Sequence, residues 1–204
     1  MSLLAPPTIA LLTALYTSPA RHYHSLSHVH ALLGLLATHR SAFADADAVE
    51  AAIWFHDAIY DPRAKPPANE DASAALAVQH LRDTGVDAAR LERVRAMILA
   101  TATHTVPAAE ALSGGGAAAV RDAALFLDMD LSVLGAGDAA FDEYEQGVRR
   151  EYNWVDDAGW RKGRGDVLRG FLARDTIYFS ELFRELLEER ARANLKRAVE
   201  RLGE

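Results

Sequence analysis

The chain of 204 residues contains no cysteine. That absence removes disulfides, thiolate metal sites and thiol nucleophiles together, leaving histidine and the carboxylates as the strong ligands. Runs of Val, Ile and Thr are scarce while Ala, Leu and Arg are plentiful, a composition that favours helices over strands. Long apolar runs are lacking too, and no stretch reaches the length that spans a bilayer. The first twenty residues carry no basic leader and are broken by Pro6, Pro7 and Pro19. No secretory signal is therefore expected, and the expected location is the cytoplasm. Positive charge is also in deficit, with 22 Lys and Arg against 29 Asp and Glu, a formal net charge of -7. A nucleic acid polymer calls for a basic surface and is not an expected partner. A small anion stays compatible, because a metal ion with a few arginines makes a local positive site.

What is present reads as helices. Hydrophobic residues make up 50% of the chain, enough for a substantial core, and the length fits one domain or a domain with a modest extension. A short helix is predicted over 8–16, between the proline pair and Pro19. Leu26, Val29, Leu33 and Leu36, at alternating three- and four-residue spacing, predict a helix over 25–39. Further helices are predicted over 47–59, about 70–84 with Asn69 as its cap, 87–103, 117–134, 138–152, 166–173 and 180–202. Prolines mark 61–69 as a loop, Ser113-Gly114-Gly115-Gly116 reads as a flexible loop, and a loop is expected over 153–159. No internal repeat is found. The fold class expected is all-α, a single compact domain over 1–204, with a core over about 20–135 and a helical extension over 138–204.

The chemistry concentrates in Ala52-Ile53-Trp54-Phe55-His56-Asp57-Ala58-Ile59-Tyr60, where an imidazole and a carboxylate stand side by side in an apolar segment. Burying such groups is costly without compensation, and a bound cation is the usual compensation. Upstream, 21–30 is rich in histidine, with His24 and His28 four apart and so on one face of a helix. Downstream, Phe126-Leu127-Asp128-Met129-Asp130-Leu131 offers two aspartates. Histidine, then His-Asp, then a distant aspartate is a ligand set suited to a divalent metal. Each signal alone has a plainer reading: a core histidine, a hydrogen-bonded pair near a helix end, a capping acid. Neighbours on a helix point about 100° apart, so both members of the doublet reach one ion only close to the backbone.

At these residues the chain resembles the HD superfamily of metal-dependent phosphohydrolases, whose pattern is a first His, a His-Asp doublet and a distal Asp. The resemblance implies an HD-type helical bundle and assigns His28, His56, Asp57 and Asp130 as metal ligands, with Asp128 the alternative distal acid. Tyr23-His24-Ser25-Leu26-Ser27-His28 is similar to the Tyr-His-Asn-x-x-His opening of cyclic nucleotide phosphodiesterases, with Ser25 in place of Asn. There the first His donates a proton and the second binds metal, which makes His24 a candidate general acid. From about residue 15 to the end the chain also resembles a bacterial group of predicted HD-superfamily hydrolases of unsettled substrate. The segments that carry this likeness are Arg21-His22-Tyr23-His24, Trp54 to Pro62, Asn69-Glu70-Asp71-Ala72-Ser73-Ala74, Phe126 to Gly135 and Arg150-Glu151-Tyr152.

The function so implied is hydrolysis of a phosphate ester of a small metabolite, with a nucleotide as the expected substrate class. Asp57 and Glu70 join His24 as catalytic candidates, Glu70 because related enzymes carry an acid there; its plainer reading is a first-turn carboxylate favoured by the helix dipole. The cofactor expected is one divalent metal or a pair, drawn from Mn, Fe, Ni, Co, Mg and Zn. His104 is a candidate for phosphate or a second metal. Arg21, Lys65, Arg149, Arg150 and Arg164 are candidate phosphate contacts or solvated charges. Trp154 and Trp160 are candidates for base stacking or for packing. The alternative function is a metal-containing ligand-binding or regulatory module without turnover, and a metal-dependent oxygenase on the same scaffold is a third. No membrane partner is expected, and the chain is read as a monomer or homodimer.

Overall fold

The computed structural model describes residues 2–203, apart from the side chain of Asp83, and holds nine α-helices and no strand among them. The all-α expectation is met. Among the described residues no helix is long and apolar enough to cross a membrane. The chain divides into two units, the first ending at Met129 and the second beginning at Asp130.

The first unit is built from α1 (Pro6–Tyr16), α2 (Leu26–Thr38), α3 (Ala46–Phe55), α4 (Ala68–Leu81), α5 (Ala88–Ala100) and α6 (Gly116–Asp130), whose last residue opens the second unit. Helix α3 is its centre and packs against α1, α2, α4 and α5. Its sequence demands that place. Ala48, Val49, Ala51, Ala52, Ile53, Trp54 and Phe55 are all buried, so the helix is apolar round most of its circumference and needs neighbours on every side. Carboxylates anchor its start. The Asp45 side chain accepts the Ala48 N–H at 3.1 Å, and the buried Asp122 of α6 accepts the N–H groups of Ala44 and Asp45 at 2.9 and 2.8 Å. Negative charge at a helix start is also favoured by the helix dipole. Asp45 then ties α3 to α5 through Arg90, which reaches it with two nitrogens, and through Arg93 at 3.6 Å.

Several boundaries differ from the sequence reading, each for a local reason. Helix α3 stops at Phe55 rather than near Ile59, and His56-Asp57 turn away from it. Helix α2 starts at Leu26, so His24 precedes the helix instead of sharing a face with His28. Asn69 does not cap α4, which begins at Ala68 after Pro67. Its side chain instead accepts the Asp61 N–H and donates to the Asp61 carbonyl, both at 3.0 Å, and so pins the preceding loop. Helix α6 ends at Asp130 and a 3-10 segment, Leu131–Gly135, follows. The Gly-rich loop is a sharp turn in which Ser113, Gly114 and Gly116 all have positive φ.

The second unit contains that 3-10 segment, α7 (Asp138–Glu151), α8 (Asp157–Leu172) and α9 (Glu181–Gly203). Here the loop expected over 153–159 gives way at Asp157. Asp156 accepts the Gly159 N–H at 2.7 Å and starts a full helix, a cap that the glycines beyond it obscured in the sequence. Helix α9 packs on α8 and on the 3-10 segment. That last contact needs Gly135: a Cβ there would sit 2.6 Å from the Leu187 Cβ. Asn194, fully buried on α9, donates to the carbonyls of Leu134 and Ala136 at 2.9 Å each, and Tyr178 donates to Leu131 at 3.2 Å. These bonds satisfy the orphan carbonyls that a short 3-10 segment leaves.

Burial pushes the Asp45 carboxyl upward, but the Arg90 hydrogen bond, the Ala48 N–H and the charges of Arg90 and Arg93 outweigh it and hold its pKa below the ordinary aspartate value. A carboxyl depressed in the folded state contributes stability that is complete above its unfolded pKa and is lost as pH falls through the folded one. Replacing Asp45 by Ala is expected to cost about 1–2 kcal/mol at pH 7 through the lost cap and ion pair. Urea unfolding of both proteins should show that gap shrinking below about pH 4. A gap unchanged down to pH 3 would remove the charge from the explanation.

Candidate metal centre

The site begins where α3 ends. His56 still makes the helical bond from its N–H to Ala52, at 2.9 Å, and the chain then turns out of the helix. A turn inside the core exposes backbone groups that must be paired, and here side chains from three directions pair them. The Tyr16 hydroxyl of α1 accepts the Asp57 N–H at 3.2 Å. Arg21 donates to the carbonyls of Asp57 at 2.6 Å, Ala58 at 2.7 Å and His24 at 2.9 Å. Its guanidinium lies over the rings of Tyr16 and Tyr60. Ser73 of α4, fully buried, accepts the Ile59 N–H at 3.0 Å and donates to the Ile59 carbonyl at 3.2 Å. Arg21 therefore joins the segment before α2 to the turn after α3.

This framing brings His28, from the first turn of α2, onto the doublet. The two imidazoles face each other with Nε2 atoms 3.2 Å apart. The Asp57 Oδ2 lies 3.0 Å from His56 Nε2 and 3.9 Å from His28 Nε2. One ligand atom from each of the three falls within 4.8 Å of the others. His28 is 7% exposed and His56 1%, so these polar atoms converge in a place largely shut off from water. The turn resolves the geometric difficulty posed by adjacent residues on a helix: once the helix ends, His56 and Asp57 aim at one point.

The donor set fits a divalent cation. His56 Nδ1 lies 2.8 Å from the Ile53 carbonyl, which only accepts, so Nδ1 carries a proton and Nε2 is the ring atom that would face a bound cation. A nitrogen separation of 3.2 Å suits two neighbouring ligands of one ion, whose metal–nitrogen distances are about 2.0–2.1 Å. Two imidazoles and a carboxylate, with no sulfur, belong to the borderline and hard first-row cations. Phe126 of α6 closes the far side, its ring edge-on to His56 at 6.0 Å between centroids.

The other residues singled out in the sequence fall in varied places. The His24 ring, outside α2, stacks on Tyr60 with centroids 4.2 Å apart. Glu70 stands in the first turn of α4, between Asn69 and Ser73, the two residues that grip the turn after α3. Its Oε2 is buried with no hydrogen-bond partner among the described residues. Asp128 is fully buried on α6, and Asp130 begins the second unit. His104 follows α5 in a turn with φ of 47°. Lys65 is exposed in its loop. Arg21, read as a candidate phosphate contact, is committed to backbone carbonyls. In the second unit, Arg164 is committed to Glu145 and to the Tyr144 hydroxyl at 2.6 Å, and Arg149 to Asp157 and the Tyr152 carbonyl at 2.8 Å each. Trp154 is exposed, and Trp160 packs beside Tyr152. Tyr16, Ser73 and the positioning role of Arg21 were missed in the sequence. Their partners are main-chain atoms, which leave no mark on residue type.

Because Arg21 holds the turn by two carbonyls and ties it to the segment before α2 by a third, Arg21→Lys should weaken Mn or Co binding by about 10–100-fold, as loss of outer-shell support generally does. Titration calorimetry reads this, with circular dichroism checking the fold. An unchanged affinity would show that the turn is self-supporting. Comparison with known protein families, with curated proteins and with solved structures returns no match, so the site rests on its own geometry as a buried His/His/Asp cluster consistent with metal binding.

Proposed function

We propose that the chain is a metal-dependent phosphohydrolase of the kind its HD-superfamily resemblance implies, cleaving a phosphate ester of a small metabolite, with nucleotides as the substrate class. The observation that carries this reading is the convergence of His28 with the adjacent pair His56-Asp57, 28 residues further along the chain, on one buried point. Asp130 is the proposed fourth ligand. The support is the resemblance, whose distal aspartate falls on this position. Asp128, fully buried on α6, is the alternative distal acid.

A divalent cation held there acidifies water and neutralises charge on a phosphoryl oxygen. The protein's part is to orient the reactants and move protons. Asp57 orients the attacking water as well as binding the ion. Glu70 takes a proton from that water; the support is its buried, unpartnered carboxylate oxygen, which asks for a polar partner. His24, its ring fixed against Tyr60, gives a proton to the departing oxygen. The balance closes: a bond forms from water oxygen to phosphorus, the phosphorus–ester oxygen bond breaks, and the alcohol leaves protonated.

The test pairs elemental analysis of the purified protein with a phosphatase screen over nucleotides in added Mn, Co, Ni and Mg. Bound metal and turnover, both abolished by Asp57→Ala in a folded protein, are the expected results. Glu70→Gln should keep the metal and lower kcat by about 10²–10⁴. Stoichiometric metal without turnover of any phosphate ester would transfer the site to ligand sensing. No metal under any condition would make the cluster a hydrogen-bonded structural triad.

A further inference from the structure

The second unit has a cleft of its own, about 380 Å³, walled by α7, α8 and α9. That volume lies in the range of small-molecule pockets. Its polar groups are unevenly satisfied. Asp142 is held by Arg201 at 2.9 Å and Arg197 at 3.3 Å, and Glu145 is paired with Arg164. Both acids that line the cleft are therefore neutralised by arginines, and Arg149 is spent on Asp157. The Arg150 side chain makes no hydrogen bond or ion pair with the described residues, and it is exposed where it lines the cleft. Trp160 offers an indole N–H with no hydrogen-bond partner there, and one side of its ring carries the Arg149 guanidinium at 5.2 Å. Ala198 and Leu202 add apolar lining.

We propose that this cleft binds a small planar aromatic anion, an arene bearing a carboxylate or phosphate. The flat ring lies against Trp160 and the apolar lining, and the anionic group meets Arg150 and the indole N–H. Arg150 is the one open charge, the indole N–H is a donor, and Gln146 adds an amide that both donates and accepts, so the charge selects an anion over a cation or a neutral ring. Indole and apolar lining favour a flat, poorly hydrated body over a bare inorganic anion.

Calorimetry with 1-naphthoate as the probe tests this, with 1-naphthamide as its neutral counterpart and inorganic phosphate as the bare anion. The experiment is run on the full chain and on the Asp57→Ala variant. Naphthoate should bind at least about tenfold tighter than the amide and than phosphate. Arg150→Gln, a change at an exposed position, should abolish that preference, and Trp160→Leu should weaken both arenes. Binding should be the same in Asp57→Ala, whatever the fate of the phosphohydrolase reading. Loss in Asp57→Ala would assign the carboxylate to the metal centre and overturn the proposal. So would equal affinity for acid and amide, an Arg150→Gln variant that binds as the parent does, or no binding to folded protein.

Discussion

A guanidinium laid across three backbone carbonyls is the interaction on which the candidate site depends. Helix α3 is buried on nearly every side, and a buried helix that simply ended would leave its last carbonyls and the following amides without water. Arg21 takes two carbonyls of the turn and one from the segment leading into α2. Tyr16 and Ser73 take most of what is left. With its backbone satisfied, the chain can break the helix inside the core, and that break lets His56 and Asp57 converge. Arg21 also fixes the distance between the doublet and the entry to α2, where His28 stands.

The apolar surroundings of α3 act on the cluster in two ways. They exclude water, so the imidazoles and the carboxylate lose hydration and must find partners among themselves or in a cation. They also fix the rings: the Ile53 carbonyl accepts from His56 Nδ1, while Phe126 and Tyr23 border the two imidazoles. A cluster arranged this way is preorganised, with the cost of holding the ligands together met by folding and not by the ion.

The second unit is organised by different means. Its helices carry many charges, and arginine–carboxylate pairs join α7 to α8 through Arg164 and Glu145 and α7 to α9 through Asp142, Arg197 and Arg201. Pairs with exposed members contribute little each, whereas Arg164, largely buried, is tied to its partners. What fixes the packing of α9 is narrower: the bare backbone of Gly135 against Leu187, and Asn194 reaching two carbonyls of the neighbouring turn.

The sequence by itself determined the helical class, most of the nine helices among the described residues to within a few residues, and the His56-Asp57 pair of the cluster, to which the family resemblance added His28. Those features are written in side-chain type and period: apolar spacing along 25–39, prolines across 61–69, His and Asp inside an apolar run. It did not reveal that α3 ends one residue before His56, that Asn69 grips a loop instead of capping a helix, or that α8 begins at Asp157. Nor did it tell Arg21 from the other arginines. Each of these was decided by tertiary structure, because each depends on which main-chain atoms are left unpaired when helices pack, and residue type carries no record of that.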